Sequence, residues 1–166
     1  MRIGFGYDAH RLVSGRPLVL GGVTIPHDRG LDGHSDADVA VHALCDAMLG
    51  AVALGDLGRH FPSSDERWRG VSSLVLLRHV TQLLADCLYG LANADITIVA
   101  QRPRLAPYIS RMVDTLATTV GVPPAQISVK ATTTDGLGFS GQDAGMAAYA
   151  VCLVHRSPST PLSWQK

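Results

Sequence analysis

Three side chains near the start of the chain have the types to hold one cation. Asp8 and His10 lie two residues apart in Arg2–His10, where Ile3, Phe5 and Tyr7 alternate with Gly4, Gly6 and Asp8. That alternation predicts a strand. Residues two apart on a strand project to the same side, with Cα atoms roughly 6.5–7 Å apart. A carboxylate and an imidazole so placed can serve as two ligands of one divalent metal. They can equally form a strand-end ion pair. His42 is the third candidate, within Gly33-His34-Ser35-Asp36-Ala37-Asp38-Val39-Ala40-Val41-His42-Ala43-Leu44-Cys45-Asp46. This stretch reads as the start of a helix. Ser35 or Asp36 is expected to cap it, because a side-chain oxygen there accepts an unpaired backbone N–H. Asp36 and Asp38 suit the positive end of the helix dipole. His42 is expected about two turns in, with Asp38 and Asp46 four residues to either side. That pattern is also the pattern of a solvated helical ion pair, worth only a few tenths of a kcal/mol. If the three side chains converge, they match a catalytic zinc site, which takes three protein ligands and keeps a fourth position open. The open position would polarise a phosphoryl or carbonyl oxygen.

The elements that must position these residues follow from local pattern. Small residues (Ala40, Ala43, Ala47, Gly50, Ala51 and Ala53) let another backbone approach the first helix closely. Leu18–Leu20 and Val23–Ile25 around Gly21-Gly22 predict a hairpin. His27 to Gly33 reads as a polar loop and Gly55 to Asp65 as a long one. Ser72 to Tyr89 is expected to form a helix, with Leu74, Leu77, Thr81, Leu84 and Leu88 inward and Gly90 past its end. Asp95–Ala100 predicts a strand, Gln101–Pro107 a rigid loop with Arg102 and Arg104. A further helix starts near Pro107, buries Ile109, Met112, Val113, Leu116 and Val120, and ends at Gly121. Ile127–Thr132 is a strand. It runs into Thr132–Gln142, where hydroxyls, Asp135 and three glycines form a cradle suited to an anionic, metal-bound group. Met146–Val154 is a last apolar strand. The order does not alternate strand and helix as a doubly wound sheet would. The expected fold is α+β: a single domain over 1–155, with a mixed four-stranded sheet, an extra hairpin and helices packed on one face. Residues 156–166 read as a flexible, Ser/Pro-rich tail.

Composition narrows the partners. The 166 residues are 46% hydrophobic and 17% charged with zero formal net charge, as expected of one folded domain. A neutral chain argues against nucleic acid or an anionic membrane as the main partner. No apolar run reaches the roughly 20 residues of a membrane span. Met1-Arg2-Ile3-Gly4 lacks a signal-peptide core. Cys45, Cys87 and Cys152 are scattered among apolar neighbours, so buried thiols in a reducing, cytoplasmic compartment are expected.

Several motifs together carry a resemblance. Gly6-Tyr7-Asp8-Ala9-His10, His34-Ser35-Asp36-Ala37-Asp38-Val39-Ala40-Val41-His42-Ala43, Leu54-Gly55-Asp56-Leu57-Gly58, Ala100-Gln101-Arg102-Pro103 and Val129-Lys130-Ala131-Thr132-Thr133-Thr134 resemble the 2-C-methyl-D-erythritol 2,4-cyclodiphosphate synthases of non-mevalonate isoprenoid biosynthesis. The resemblance runs from Met1 to about His155. It implies closure of 4-diphosphocytidyl-2-C-methyl-D-erythritol 2-phosphate to the cyclic diphosphate with release of CMP. It implies zinc, one per subunit, on Asp8, His10 and His42, and Mg²⁺ or Mn²⁺ on the substrate diphosphate near Asp135. His34 and Thr133 match the residues that steady the transition state. Ser35, Asp56 and Gly58 match contacts to the erythritol phosphate. Leu57, Phe61, Asp65, Asp8, His10 and His34 also fall among the implied substrate contacts. Ala100, Arg104 and Ala106, with Thr132 and Thr133, match the cytidine and diphosphate side. Thr134, Asp135, Phe139 and Gln142 complete the set. The resemblance further implies a homotrimer with sites between subunits. Three positions depart from the family pattern. Asp135 stands where Glu is usual, Ser63 replaces an acid, and Gln142 replaces an Arg expected to cap an isoprenoid diphosphate near Phe139. Two rival functions use the same residues: a metal-dependent phosphohydrolase, and a non-catalytic module binding metal or isoprenoid diphosphate.

Overall fold

The computed structural model describes residues 1–157. A five-stranded sheet runs β4 (Arg29–Leu31), β1 (Arg2–Ser14), β7 (Gly145–Arg156), β5 (Tyr89–Val99), β6 (Ile127–Thr132). β5 and β6 are parallel and the other neighbours antiparallel. The four long strands are the mixed sheet expected from the sequence. The fifth, β4, comes from the stretch read as a polar loop; its three residues pair with Leu12–Ser14, at the far end of β1. The hairpin β2 (Leu18–Leu20) and β3 (Val23–Ile25) stands apart as its own two-stranded sheet. Both turn glycines have positive φ, 56° and 74°, as a two-residue hairpin turn requires.

Helices α1 (Val39–Ala51), α3 (Ser73–Asp86) and α4 (Ile109–Val120) cover one face of the sheet, with α1 against β1 and β7. All of α1 is buried except Asp46 and Gly50, so it is apolar nearly all round. The sheet lies on one side of it and α3 on another.

The approach of α1 to β1 is set by two glycines. A Cβ on Gly4 would sit 1.8 Å from the Ala47 carbonyl oxygen, and one on Gly6 2.0 Å from that of Ala43. Gly4, Gly6, Asp8 and His10 share one strand face. The large residues of the strand therefore point the other way. Ile3, Phe5 and Tyr7 are 69%, 64% and 44% exposed, on the sheet face that no helix covers. Tyr149, Val151 and Leu153 of β7 extend that apolar face.

Several local expectations need correction. Asp38, and not Ser35 or Asp36, caps α1, accepting the N–H groups of Ala40 and Val41. The same carboxylate accepts the hairpin-turn N–H groups of Gly21 (2.9 Å) and Gly22 (2.6 Å). A helix begun at Asp38 puts His42 in its first turn, not two turns in. The helix α3 stops at Asp86, not Tyr89: Leu88 turns into the left-handed region (φ 63°), and Gly90 lies inside β5. The long loop over 55–65 contains a short helix, α2 (Leu57–His60), and the glycine-rich loop over 132–142 contains another, α5 (Gly138–Gly141). Cys45 and Cys152 are buried thiols, but Cys87 is exposed just past α3. The helix read from Pro107 begins in a 3-10 turn, Ala106–Tyr108, and ends at Gly121 in the left-handed conformation, as expected. Of the tail read as flexible, Arg156 belongs to β7, and 158–166 lie outside the described residues.

Gly6→Ala must drive α1 off β1. It should cost several kcal/mol on the scale of overpacked cores, roughly 1–3 or more, in urea denaturation. Gly50 is also in α1, but a Cβ there meets nothing within 4 Å. Gly50→Ala should therefore be neutral or stabilising by about 0.5–1 kcal/mol.

Candidate metal centre and active site

The strand face that carries Gly4 and Gly6 continues to Asp8 and His10, and α1 brings His42 over them. Asp8 Oδ2 lies 2.9 Å from His42 Nδ1 and 3.0 Å from His10 Nε2. The two imidazole nitrogens are 3.3 Å apart. Three donor atoms thus crowd one point, the convergence that the sequence left conditional, and these residues form a group able to hold a metal ion. Donors around a tetrahedral ion with bonds of about 2.0–2.2 Å stand roughly 3.3–3.6 Å apart. The cluster reaches that geometry if the side chains part by a few tenths of an ångström. One carboxylate and two imidazoles suit zinc and other divalent first-row ions.

Charge is arranged to match. Burial works against ionisation of Asp8, but hydrogen bonds from His10 and His42 outweigh it and hold its carboxyl well below the usual range. Burial likewise opposes a charge on His10, while its hydrogen bond to Asp8, that residue's negative charge and a hydrogen bond to the Asp32 backbone raise its pKa.

The surrounding loop is held rigidly. Arg16 donates to the carbonyls of Gly33 (2.7 Å) and Ser35 (2.5 Å). His34 Nε2 lies 3.1 Å from the Asp65 carbonyl oxygen. Asp38 anchors both α1 and the hairpin turn, as described. Its burial, reinforced by repulsion from Asp36, pushes the Asp38 carboxyl up to about 6 against the pull of its N–H donors.

The cluster forms part of the wall of a cavity of about 480 Å³, within the range of small-molecule sites. His34, Ser35, Asp56, Leu57, Gly58 and Phe61 line it with the three cluster residues, so most of the first half of the expected site is assembled. Asp65 does not line it. Its carboxylate pairs with Arg67 and caps a 3-10 turn. Ala100, Arg104, Ala106, Thr132, Thr133, Thr134, Asp135, Phe139 and Gln142 also lie outside this lining. They sit mainly on the loops after β5 and β6, where Thr133 Oγ1 donates to Asp135 Oδ1 at 3.2 Å. Asp46, Trp68 and Leu76 line the cavity without having been singled out from the sequence. Asp46 lies one helical turn beyond His42 and takes the Leu57 N–H (2.7 Å). Its i+4 spacing was the one signal available. Trp68 and Leu76 lie in or beside segments with no motif.

A three-ligand cation site, open on a cavity of this size, is the arrangement of a metal-dependent enzyme acting on a small molecule; a structural zinc site has four protein ligands. Comparison with known proteins makes this specific. The chain belongs to the YgbB family, whose model matches residues 1–155. It is 58% identical over 154 residues to the 2-C-methyl-D-erythritol 2,4-cyclodiphosphate synthase of Syntrophobacter fumaroxidans, a match covering 93% of this chain and 97% of that one. A solved 2C-methyl-D-erythritol-2,4-cyclodiphosphate synthase in a form bound to CDP is 41% identical, with a TM-score of 0.85 over 93% of this chain and 100% of that one. The bifunctional IspDF from Campylobacter jejuni is 38% identical, with a TM-score of 0.89. That match covers 92% of this chain and 42% of the longer one. No described helix is long and apolar enough to cross a membrane.

Equilibrium dialysis against zinc tests the cluster. The unaltered protein should bind one ion per chain. His42→Ala and Asp8→Asn should each weaken binding by more than about 100-fold, beyond what loss of a supporting residue does. Full metal content in either variant would remove that residue from the ligand set.

Proposed function

We propose that the chain converts 4-diphosphocytidyl-2-C-methyl-D-erythritol 2-phosphate to 2-C-methyl-D-erythritol 2,4-cyclodiphosphate and CMP. The observation that carries this reading is the Asp8–His10–His42 cluster, facing a cavity also lined by His34, Ser35, Asp56 and Gly58 in a member of this family. An oxygen of the 2-phosphate attacks the β-phosphorus of the diphosphate. The bond from that phosphorus to the bridging oxygen breaks, and its electron pair leaves with CMP. The substrate supplies its own nucleophile, so no serine or cysteine need be activated. What the protein must supply is alignment and charge neutralisation in an in-line displacement.

Asp8, His10 and His42 would hold zinc, and Asp135 would face Mg²⁺ or Mn²⁺ on the diphosphate. Bound metal supplies Lewis-acid polarisation of a phosphoryl oxygen. His34, its ring steadied by the Asp65 carbonyl, and Thr133 are read as the groups that meet charge developing in the transition state. Ser35, Asp56 and Gly58 take the erythritol phosphate end, with Leu57 and Phe61 beside them and Asp65 among the contacts. Ala100, Arg104, Ala106, Thr132, Thr134, Phe139 and Gln142 take the cytidine and diphosphate side. These last residues lie outside the cavity of their own chain, which supports a homotrimer in which each site is completed by a neighbour. The uncovered apolar face of Ile3, Phe5, Tyr7, Tyr149, Val151 and Leu153 supports the same reading, since bare apolar faces of this kind mark interfaces. Residues 1–155 would then act as one catalytic domain, working in the cytoplasm, where the three thiols would stay free.

With substrate, zinc and magnesium, the protein should yield CMP and the cyclic diphosphate in equal amounts. A linear phosphate product would favour a phosphohydrolase, and tight binding without CMP would favour a binding module. Sharing of the site is tested by co-expression. His42→Ala and Thr133→Ala should each be nearly inactive alone, and hybrids of the two should regain part of the activity. No regain would place both residues in a site built from one chain.

A further inference from the structure

The far side of the His42 ring faces a second set of groups, among them Ser73, which belongs to no sequence motif, and Asp36, to which the proposed chemistry gives no role. His42 Nε2 lies 2.9 Å from Ser73 Oγ and 3.1 Å from Ser35 Oγ. Ser73 is completely buried, in the first turn of α3. Its hydroxyl donates to Asp36 Oδ1 in a short hydrogen bond, and its backbone N–H donates to Asp36 Oδ2 at 3.0 Å. Two backbone bonds strap the same segments together: Asp36 N–H to the Val71 carbonyl (3.0 Å) and Gly70 N–H to the His34 carbonyl (2.7 Å).

The direction of these bonds has a chemical consequence. A carboxylate only accepts, so the single hydroxyl proton of Ser73 is committed to Asp36. Ser73 Oγ must then accept from His42, which places a proton on Nε2. Ser35 Oγ already accepts the Ala37 N–H (3.1 Å) and stands ready to share that proton. A cation would take the place of the Nδ1 proton that Asp8 accepts, and a neutral imidazole with its remaining proton on Nε2 has its lone pair on Nδ1. That is the nitrogen beside Asp8 and His10.

We propose that Asp36 and Ser73 are positioning residues for the metal site. They fix the His42 tautomer and ring orientation so that Nδ1 is the ligand atom. Asp36 acts through Ser73, and the start of α3 serves as the back support of the centre. The proposal rests on the reading of Asp8, His10 and His42 as metal ligands, but not on the identity of the substrate.

The test uses the full chain loaded with zinc, and with ¹¹³Cd for spectroscopy. In the unaltered protein, ¹¹³Cd should couple to His42 Nδ1, and the Nε2 proton should exchange slowly. Ser73→Ala should weaken zinc binding by about 10- to 100-fold and speed that exchange. Asp36→Asn should act in the same direction. The double variant should be no worse than Ser73→Ala alone, because the two act in series. Ser72→Ala is the control. Ser72 caps the same helix through the Leu74 N–H (3.4 Å), so this variant should lower the melting temperature and leave zinc affinity unchanged. The proposal is overturned if Ser73→Ala keeps zinc affinity within twofold, if the two losses add, or if Ser72→Ala loses as much affinity as Ser73→Ala. Should Ser73→Ala not fold, coupling of ¹¹³Cd to His42 Nε2 in the unaltered protein would be sufficient to overturn it. An unaltered protein that binds neither ion would overturn the ligand reading itself.

Discussion

The structure depends on backbone meeting backbone where β1 passes under α1. Gly4 and Gly6 have no side chains, and the carbonyls of Ala47 and Ala43 occupy the space where Cβ atoms would be. The strand steps two residues at a time along one face, from Gly4 and Gly6 to Asp8 and His10. The helix runs the other way, from Ala47 past Ala43 to His42. Close contact at the glycines therefore brings an imidazole over a carboxylate and a second imidazole. Longer side chains at positions 4 and 6 would hold the helix off and leave three groups too far apart to share an ion.

Around this contact the chain uses hydrogen-bonded charge as scaffolding. Asp38 joins the start of α1 to the hairpin turn by accepting four backbone N–H groups. Arg16 ties the carbonyls of Gly33 and Ser35. Asp46 fixes the start of α2. Each charged group would be costly to bury alone, and each is matched to donors or acceptors that the neighbouring loop leaves unsatisfied. The result is a site whose groups are held in place before any ligand arrives, which is what catalysis by alignment requires.

Much of this was legible in the sequence. Asp8 and His10 were readable as a strand-spaced pair, because period two is a local property. The hairpin was readable from Gly21-Gly22 and its flanking apolar residues. The motif set as a whole pointed to the right family. Other features depended on distant partners. Ser35, Asp36 and Asp38 are all cap-forming types. Asp38 caps α1 because its carboxylate also receives the N–H groups of a turn sixteen and seventeen residues upstream. The apolar residues of β1 gave the alternation but not its direction: the glycines face inward, because α1 leaves no room for anything larger. Cys87 has apolar neighbours in sequence, yet lies where α3 has ended and the chain turns outward. The residues expected on the loops after β5 and β6 do not line the cavity of their own chain, because where a loop ends up relative to a distant pocket is set by the tertiary fold and not by local pattern.

The most direct test is anomalous diffraction at the zinc absorption edge from crystals of the zinc-loaded protein. The account predicts one strong peak per chain, about 2.0–2.2 Å from an Asp8 carboxylate oxygen, His10 Nε2 and His42 Nδ1, with its open side toward the cavity. A peak elsewhere, or none among these three side chains, would contradict it.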